Sequence, residues 1–419
     1  MSSFQQLSRR ELLKVFTFAG GAMLAGCSDK NPNGTKLTLT QWYHEYGEKG
    51  TFQAVQHYAR EYSLLNPHIA VRVVWVPGDY GTKLATALLT PDGPDVFEDQ
   101  LTEAMVSAGQ VAPLDDLFTP EDLKDFNAKD IALNSVGGKI YGVKEIDDMQ
   151  LLYFRKSVLK AAGVKPPTTM DELIAAAHAL TTPTRKGIFL GNDGGVTALL
   201  TVLPWSAGSD FLVDNRIVFN NPRTVASYEK LLELNQSGSL LMGAPTDWWD
   251  PSSLTQGLAA MQWCGLWAYP KIHSILGDDL GAIIWPAFDN AGVPVTSLGG
   301  WTAMVNAQRP YVEEAKKFVK WLWIDNLKDQ LDWCVGYGFH VPPRLSLAKR
   351  APQLSAPIPA YAVKALGKYG QATPPLWNAA MTSDLTNSLT NIVKLGHNAA
   401  RSVSNAATQC TRELNRELE

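Results

Sequence analysis

The chain has little cysteine, no block of basic charge and no long apolar run. Its four cysteines in 419 residues, at positions 27, 264, 334 and 410, include no CxxC pair, which excludes a zinc ribbon and a disulfide-stapled scaffold. With 37 Lys and Arg against 41 Asp and Glu the net charge is −4, so no cationic surface draws nucleic acid. The apolar run Val15 to Gly26 is shorter than the ~20 residues of a spanning helix, and no later stretch is long enough. A P-loop, an HExxH helix, a nucleophile elbow and a glycine fingerprint after a strand are all missing. Ser157-x-x-Lys160 resembles a β-lactamase motif but lacks its companions, and Asn192-Asp193-Gly194-Gly195 is a turn. Neither cofactor nor metal is implied, and enzyme chemistry has no motif to rest on.

What is present begins at the N-terminus. Ser8-Arg9-Arg10-Glu11-Leu12-Leu13-Lys14 is a twin-arginine export pattern, and the apolar run behind it ends in Leu24-Ala25-Gly26-Cys27, the form of a lipoprotein cleavage box. Cleavage before Cys27 and acylation of its thiol would leave the body tethered to the outer face of a bacterial membrane. Residues 1–26 are then signal peptide and 27–36, rich in Asn, Gly and Pro, a lipidated tether. The remainder carries a net charge of about −6 and a globular composition, 45% hydrophobic and 19% charged, enough for two domains. Once Cys27 is committed to lipid, Cys264, Cys334 and Cys410 either form one disulfide and a free thiol or stay buried and reduced.

From Leu37 strands and helices alternate as in an α/β protein. Leu37 to Tyr43 and Ile69 to Val76 read as strands; Thr51 to Asn66, with Phe52, Val55, Tyr58, Ala59 and Tyr62 on one face, reads as a helix stopped by Asn66-Pro67. Thr169-x-x-Glu172 is a capping box for a helix to Leu180, Asn221-Pro222 opens a helix that Gly238 closes, and Pro310 starts one with the stripe Ala315, Phe318, Val319, Leu322. After Pro343 the sheet signals end and helices remain.

Several separated stretches resemble the extracellular solute-binding proteins of ABC importers, in the carbohydrate-binding branch that includes maltodextrin-binding protein. They are Asn66-Pro67-His68-Ile69; Pro94-Asp95-Val96-Phe97; Gly142-Val143 leading to Leu152-Tyr153-Phe154-Arg155-Lys156; and Ala161 through Val164-Lys165-Pro166-Pro167-Thr168-Thr169 to Leu173. Gly257-Leu258-Ala259-Ala260-Met261, Gly265-Leu266-Trp267-Ala268, Gly299-Gly300-Trp301 and Val341-Pro342-Pro343-Arg344 follow in the same order. The resemblance implies a two-lobe periplasmic-binding-protein-like fold with a ligand cleft and three interlobe crossings. Lobe one is expected at 37–145 and 297–338, lobe two at 149–294 and 345–419, each with its own core. It also implies a monomer that captures a sugar or oligosaccharide and delivers it to ABC permease subunits.

Sugar capture needs flat apolar faces for pyranose C–H groups and planar polar groups for hydroxyls. Trp42, Trp205, Trp248, Trp267, Trp301 and Trp377 sit at element ends among Gly, Pro and Asp, where loops meet a cleft. The resemblance gives Trp267 and Trp377 the places of family ligand aromatics, and puts Gly300 and Trp301 at the second crossing. It also gives Glu98 and Asp99 the place of a hydroxyl-gripping acid, and Asp147 and Asp148 a place at the first crossing. Tyr43 and His44 end the first strand and point toward the cleft; Arg344 at the third crossing either holds ligand or fastens the hinge. Two rivals stand beside a plain sugar: a glycerophosphodiester or other polar solute, which would want Arg or Lys forks, and, more remotely, a secreted glycoside hydrolase using Glu98 or Asp99 against Asp147. In the loop before Gly257 the chain departs from the family with Asp247-Trp248-Trp249-Asp250-Pro251.

Overall fold

The computed structural model describes residues 37–418. The expected export signal, Cys27 and the expected tether lie outside them. The chain lays down β1 (Leu37–His44), β2 (Ile69–Val76), β3 (Val96–Asp99) and β4 (Val143–Lys144), passes to β5 (Gln150–Arg155), β6 (Lys186–Phe189), β7 (Ala259–Gly265) and β8 (Leu280–Ile283), and returns for β9 (Thr302–Val305). Two sheets result, ordered β2-β1-β3-β9-β4 and β8-β5-β7-β6. In the first, β1 runs parallel to β2 and β3 while β9 is antiparallel; in the second, β5 is antiparallel to both neighbours. This is a two-lobe α/β fold.

The helices follow local chemistry. α1 (Thr51–Leu65) buries Val55, Tyr58, Ala59 and Tyr62, and Asn66 Nδ2 closes its last turn on the Tyr62 carbonyl at 3.0 Å. α2 (Met170–Leu180) is capped by Thr169, but the Glu172 carboxylate accepts from Thr168 N and Oγ1, both at 2.7 Å, one residue earlier than a capping box would have it. Thr169 is drawn instead into a bridge with Ala287. α3 (Pro222–Gln236) starts on Asn221, whose side chain accepts from Arg223 N and Thr224 N. α4 (Val312–Lys320) buries Ala315, Phe318 and Val319. The C-terminal part is largely helical, with α5 (Pro357–Tyr369), α6 (Ala379–Leu395) and α7 (Ala399–Leu418), yet Gly370–Gln371 forms a short strand beside Thr296–Ser297, where the sequence offers no sheet signal.

Period-two alternation divides the second lobe. Leu152 and Phe154 of β5 join Met261 and Trp263 of β7 against α2, α3 and α6, whereas Leu151 and Tyr153 face the other way with Cys264 and α5. That second face is continuous, through Ile146, Met149, Leu298, Phe339 and Val341, with the packing of α1 and α4 on the first sheet. The expectation of two self-contained cores therefore fails: one apolar cluster runs through the junction, because α5 lies against it. Cys264, Cys334 and Cys410 are buried free thiols.

At the junction three passages of chain lie side by side. Asp147 exchanges backbone hydrogen bonds with Val341 (2.9 and 3.0 Å), and Asp148 with Gly299 (3.3 and 2.9 Å). Gly300 has φ 103°, and a Cβ there would overlap the Ile146 carbonyl oxygen. No L side chain adopts this backbone without strain. Gly300→Ala should therefore lower unfolding free energy by about 2–4 kcal/mol in urea denaturation.

Candidate functional site

The largest interlobe cavity, about 630 Å³, opens where the C-terminal end of β1 faces the end of β7. Its size is typical of a ligand site. Lobe two supplies Trp267, and the reason is local. A Cβ on Gly265 would overlap the Trp267 ring, so the glycine leaves the indole room to lie across the strand end. Trp267 Nε1 donates to the Trp249 carbonyl at 3.1 Å, and Trp248 meets the ring edge-on at 5.9 Å. Lobe one supplies Trp301, stacked on His44 at 4.1 Å and 25°. Both indoles and His44 line the cavity.

Behind His44 stands Glu98, 1% exposed, whose Oε1 lies 2.6 Å from His44 Nδ1 and accepts the His44 backbone N–H at 2.7 Å, while Oε2 accepts from Tyr46 O–H at 2.8 Å. Glu98 thus orients the aromatic wall from below and does not line the cavity. Burial pushes the Asp99 carboxyl up to about 6, against the pull of the Gln100 N–H it accepts. At the floor, Asp148 lines the cavity and pairs with His340 Nδ1, and Glu48 lies 3.5 Å from His340 Nε2. Burial favours neutral His340, but Asp148 and Glu48 outweigh it and hold the imidazole charged, with its pKa raised to about 10.

Other candidates sit elsewhere. Tyr43 is fully buried between Trp75 and Trp333 and accepts from Gln41 Nε2, because the β1 alternation that sends His44 to the cavity sends Tyr43 to the core. Asp147 is likewise the wrong half of its pair. It is buried 4.0 Å from Lys144, and burial together with Asp130 pushes its pKa up. Arg344 bonds Asp122 (3.1 Å), Asp125 (2.9 Å) and the Ile324 carbonyl (3.0 Å), so it ties residue 344 to the 122–125 helix and lines neither this cavity nor the smaller one that Trp205 and Trp377 line. Trp248 supports Trp267 without lining the space. Trp205 and Trp377, both buried against Phe211, line a second interlobe cavity of about 290 Å³ on the far side of the passages, with Gln100, Thr102, Gln150 and Thr201. Sequence reasoning missed His340, Tyr46, Glu48 and Trp249. For Trp249 the signal was present in the Trp248-Trp249 pair; for His340 it was only the nearness of Val341-Pro342-Pro343.

A profile for bacterial extracellular solute-binding proteins matches residues 46–322. The chain belongs to that family. Solute-binding proteins of this family work outside the cytoplasm. The chain is 22% identical over 322 residues to the multiple sugar-binding protein of Streptococcus mutans, covering 72% of this chain and 75% of that one. It is 24% identical to the arabinooligosaccharide-binding protein of Bacillus subtilis, covering 71% and 72%. The GacH receptor of Streptomyces glaucescens, solved unliganded and with acarbose, superposes with TM-score 0.77 at 21% identity over 90% of this chain and 98% of that one. A solute-binding protein of Thermotoga lettingae solved with α-D-tagatose gives 0.75 at 18% identity, covering 90% and 99%.

The His340 pairing carries a pH signature. Because its folded-state pKa of about 10 lies above the ordinary value near 6.5, its stabilising contribution is complete below about 6.5 and disappears as pH rises through 10. The melting temperature should fall between pH 7 and 10, and His340→Gln should flatten that slope; an unchanged slope in the variant would remove His340 as its source.

Proposed function

We propose that this solute-binding protein captures a neutral or weakly cationic sugar or oligosaccharide and delivers it, as a monomer, to the permease of an ABC importer. The observation that carries the reading is the pairing of Trp267 from one lobe with Trp301 from the other in a single cavity floored by Asp148. Indole faces match pyranose C–H surfaces, and carboxylates accept charge-assisted bonds from hydroxyls. The names of the relatives point the same way. Ligand touching both lobes supplies the differential affinity that shifts open to closed. The moving bodies are taken as 37–145 with 297–338 and 149–294 with 345–419, hinged at the three passages.

A phosphodiester is disfavoured: among the described residues lining the cavity none is arginine, Lys271 is paired with Asp250 at 3.1 Å, and the other lysine, Lys49, shares the lining with the carboxylates of Glu45, Glu48 and Asp148. Glycoside hydrolysis with Glu98 or Asp99 against Asp147 is disfavoured because none of the three lines the cavity. We read the protein as a binder and not an enzyme.

A thermal-shift panel of mono- and oligosaccharides and phosphodiesters tests the class, since saturating ligand stabilises by RT ln(1 + [L]/Kd). Trp267→Ala should weaken sugar binding at least tenfold, about 1.4 kcal/mol, with only a small change in melting temperature. Trp301→Ala should weaken binding similarly but also lower stability, since it removes the His44 stack. If both variants bind as the parent does, the site is misplaced.

Anchoring at the outer face of the membrane rests on the Leu24-Ala25-Gly26-Cys27 sequence. Cys27→Ser should move the protein from the detergent phase to the aqueous phase on Triton X-114 partition; retention in the detergent phase would refute the acyl anchor.

A further inference from the structure

The loop in which this chain departs from its family holds a large aromatic out in water. Trp249 is 55% exposed, yet it lines the interlobe cavity beside Trp267. An indole in solvent is ordinarily hydrophobic surface left without a partner, and on a floppy loop it would fold back against the protein. This loop is fixed. Gln262, fully buried on β7, donates Nε2 to the carbonyls of Trp248 (3.3 Å) and Asp250 (2.8 Å). Asp247 Oδ1 accepts from Asn192 N (3.1 Å) and Trp248 N (2.7 Å), and Asn192 Nδ2 donates to the Ala244 and Thr246 carbonyls, both at 3.1 Å. Asp250 accepts from Ser252 N at 2.8 Å and holds Lys271. The Trp249 carbonyl itself accepts the Trp267 Nε1–H at 3.1 Å, which ties the two indoles to one framework. The same cavity is also lined by Glu45, Glu48 and Lys49 of lobe one, polar groups of the kind that hold hydroxyls. A rigid, exposed aromatic face lining the same cavity as these hydrogen-bonding side chains offers the same chemistry as the Trp267 and Trp301 pair.

We propose that Trp249 is a stacking platform for the outer rings of a saccharide chain, so that the site selects oligosaccharides over single sugars. The inference rests on the reading that the cavity binds carbohydrate. Because the loop is already ordered, contact with Trp249 adds affinity without an ordering cost. The contribution exists only for a ligand long enough to reach it.

Calorimetric titration of the full soluble chain with glucose, maltose and maltotriose, and with mannose, mannobiose and mannotriose, tests this. The parent is expected to bind more tightly as ring number rises in a series it accepts. Trp249→Ala should lose at most twofold for a single ring and at least tenfold for three, and Trp249→Phe, which keeps a flat face, should recover most of that loss. The substitution leaves the backbone carbonyl that holds Trp267 in place, and near-ultraviolet circular dichroism checks that the fold is intact. Sugars that bind with a Trp249→Ala loss equal at every length, or with no loss, overturn the platform and leave the proposed function standing. Failure of all six sugars to bind overturns both.

Discussion

Three passages of chain meeting at one point decide what this molecule can do. Asp148 pairs through its backbone with Gly299 and through its side chain with His340, while Asp147 pairs with Val341. The segments at 147–148, 299 and 340–341 are thus stitched into a narrow ribbon from which Asp148 and His340 reach the cavity. Gly300 is required there because the chain passes too close to Ile146 for a side chain. The buried histidine stays charged because the attraction of Asp148 and Glu48 together exceeds the cost of burial, with Asp148 contributing more. The same contacts that hold the lobes together therefore fix the orientation of the Asp148 carboxylate the cavity presents.

On this floor the walls are built by different means. In lobe one, a buried acid supports an aromatic stack: Glu98 holds His44 and Tyr46, and His44 carries Trp301. In lobe two, a missing side chain does the work, since Gly265 lets Trp267 lie flat, and a buried amide, Gln262, holds the neighbouring loop. Each wall presents a rigid indole, so little conformational entropy is lost when a ligand arrives. The continuous apolar cluster through the junction adds a further constraint. Ile146, Met149 and Phe339 pack together in it, so the two sheets share side-chain contacts at the junction.

Much of the architecture was legible along the chain. Strands at 37–44 and 69–76, the helix ending at Asn66-Pro67 and the Asn221-Pro222 helix start follow from local periodicity and capping, which operate within a few residues. The short strand at 370–371 was not, because a two-residue strand has no period and exists only where Thr296 and Ser297 lie beside it. At the site the difficulty was of one residue. Tyr43 and His44, Asp147 and Asp148, Trp248 and Trp249 are neighbours, and in each pair the second faces the cavity while the first is turned to core or support.

The sequence by itself determined the class of molecule: alternating strands and helices, aromatic residues at element ends, and an order of short motifs shared with solute-binding proteins. These are properties of composition and local spacing. Only the tertiary structure decided which member of each adjacent pair meets the cavity, that His340 and Glu48 join Asp148 there, and that Arg344 is spent on Asp122 and Asp125. For Tyr43 and His44 and for Asp147 and Asp148 the physical reason is that successive side chains on an extended backbone point to opposite faces, whereas Trp248 and Trp249 lie in a turn whose orientation Asp247 and Gln262 set; in each case the face that becomes a cleft is chosen by the packing of segments some 100 to 300 residues apart.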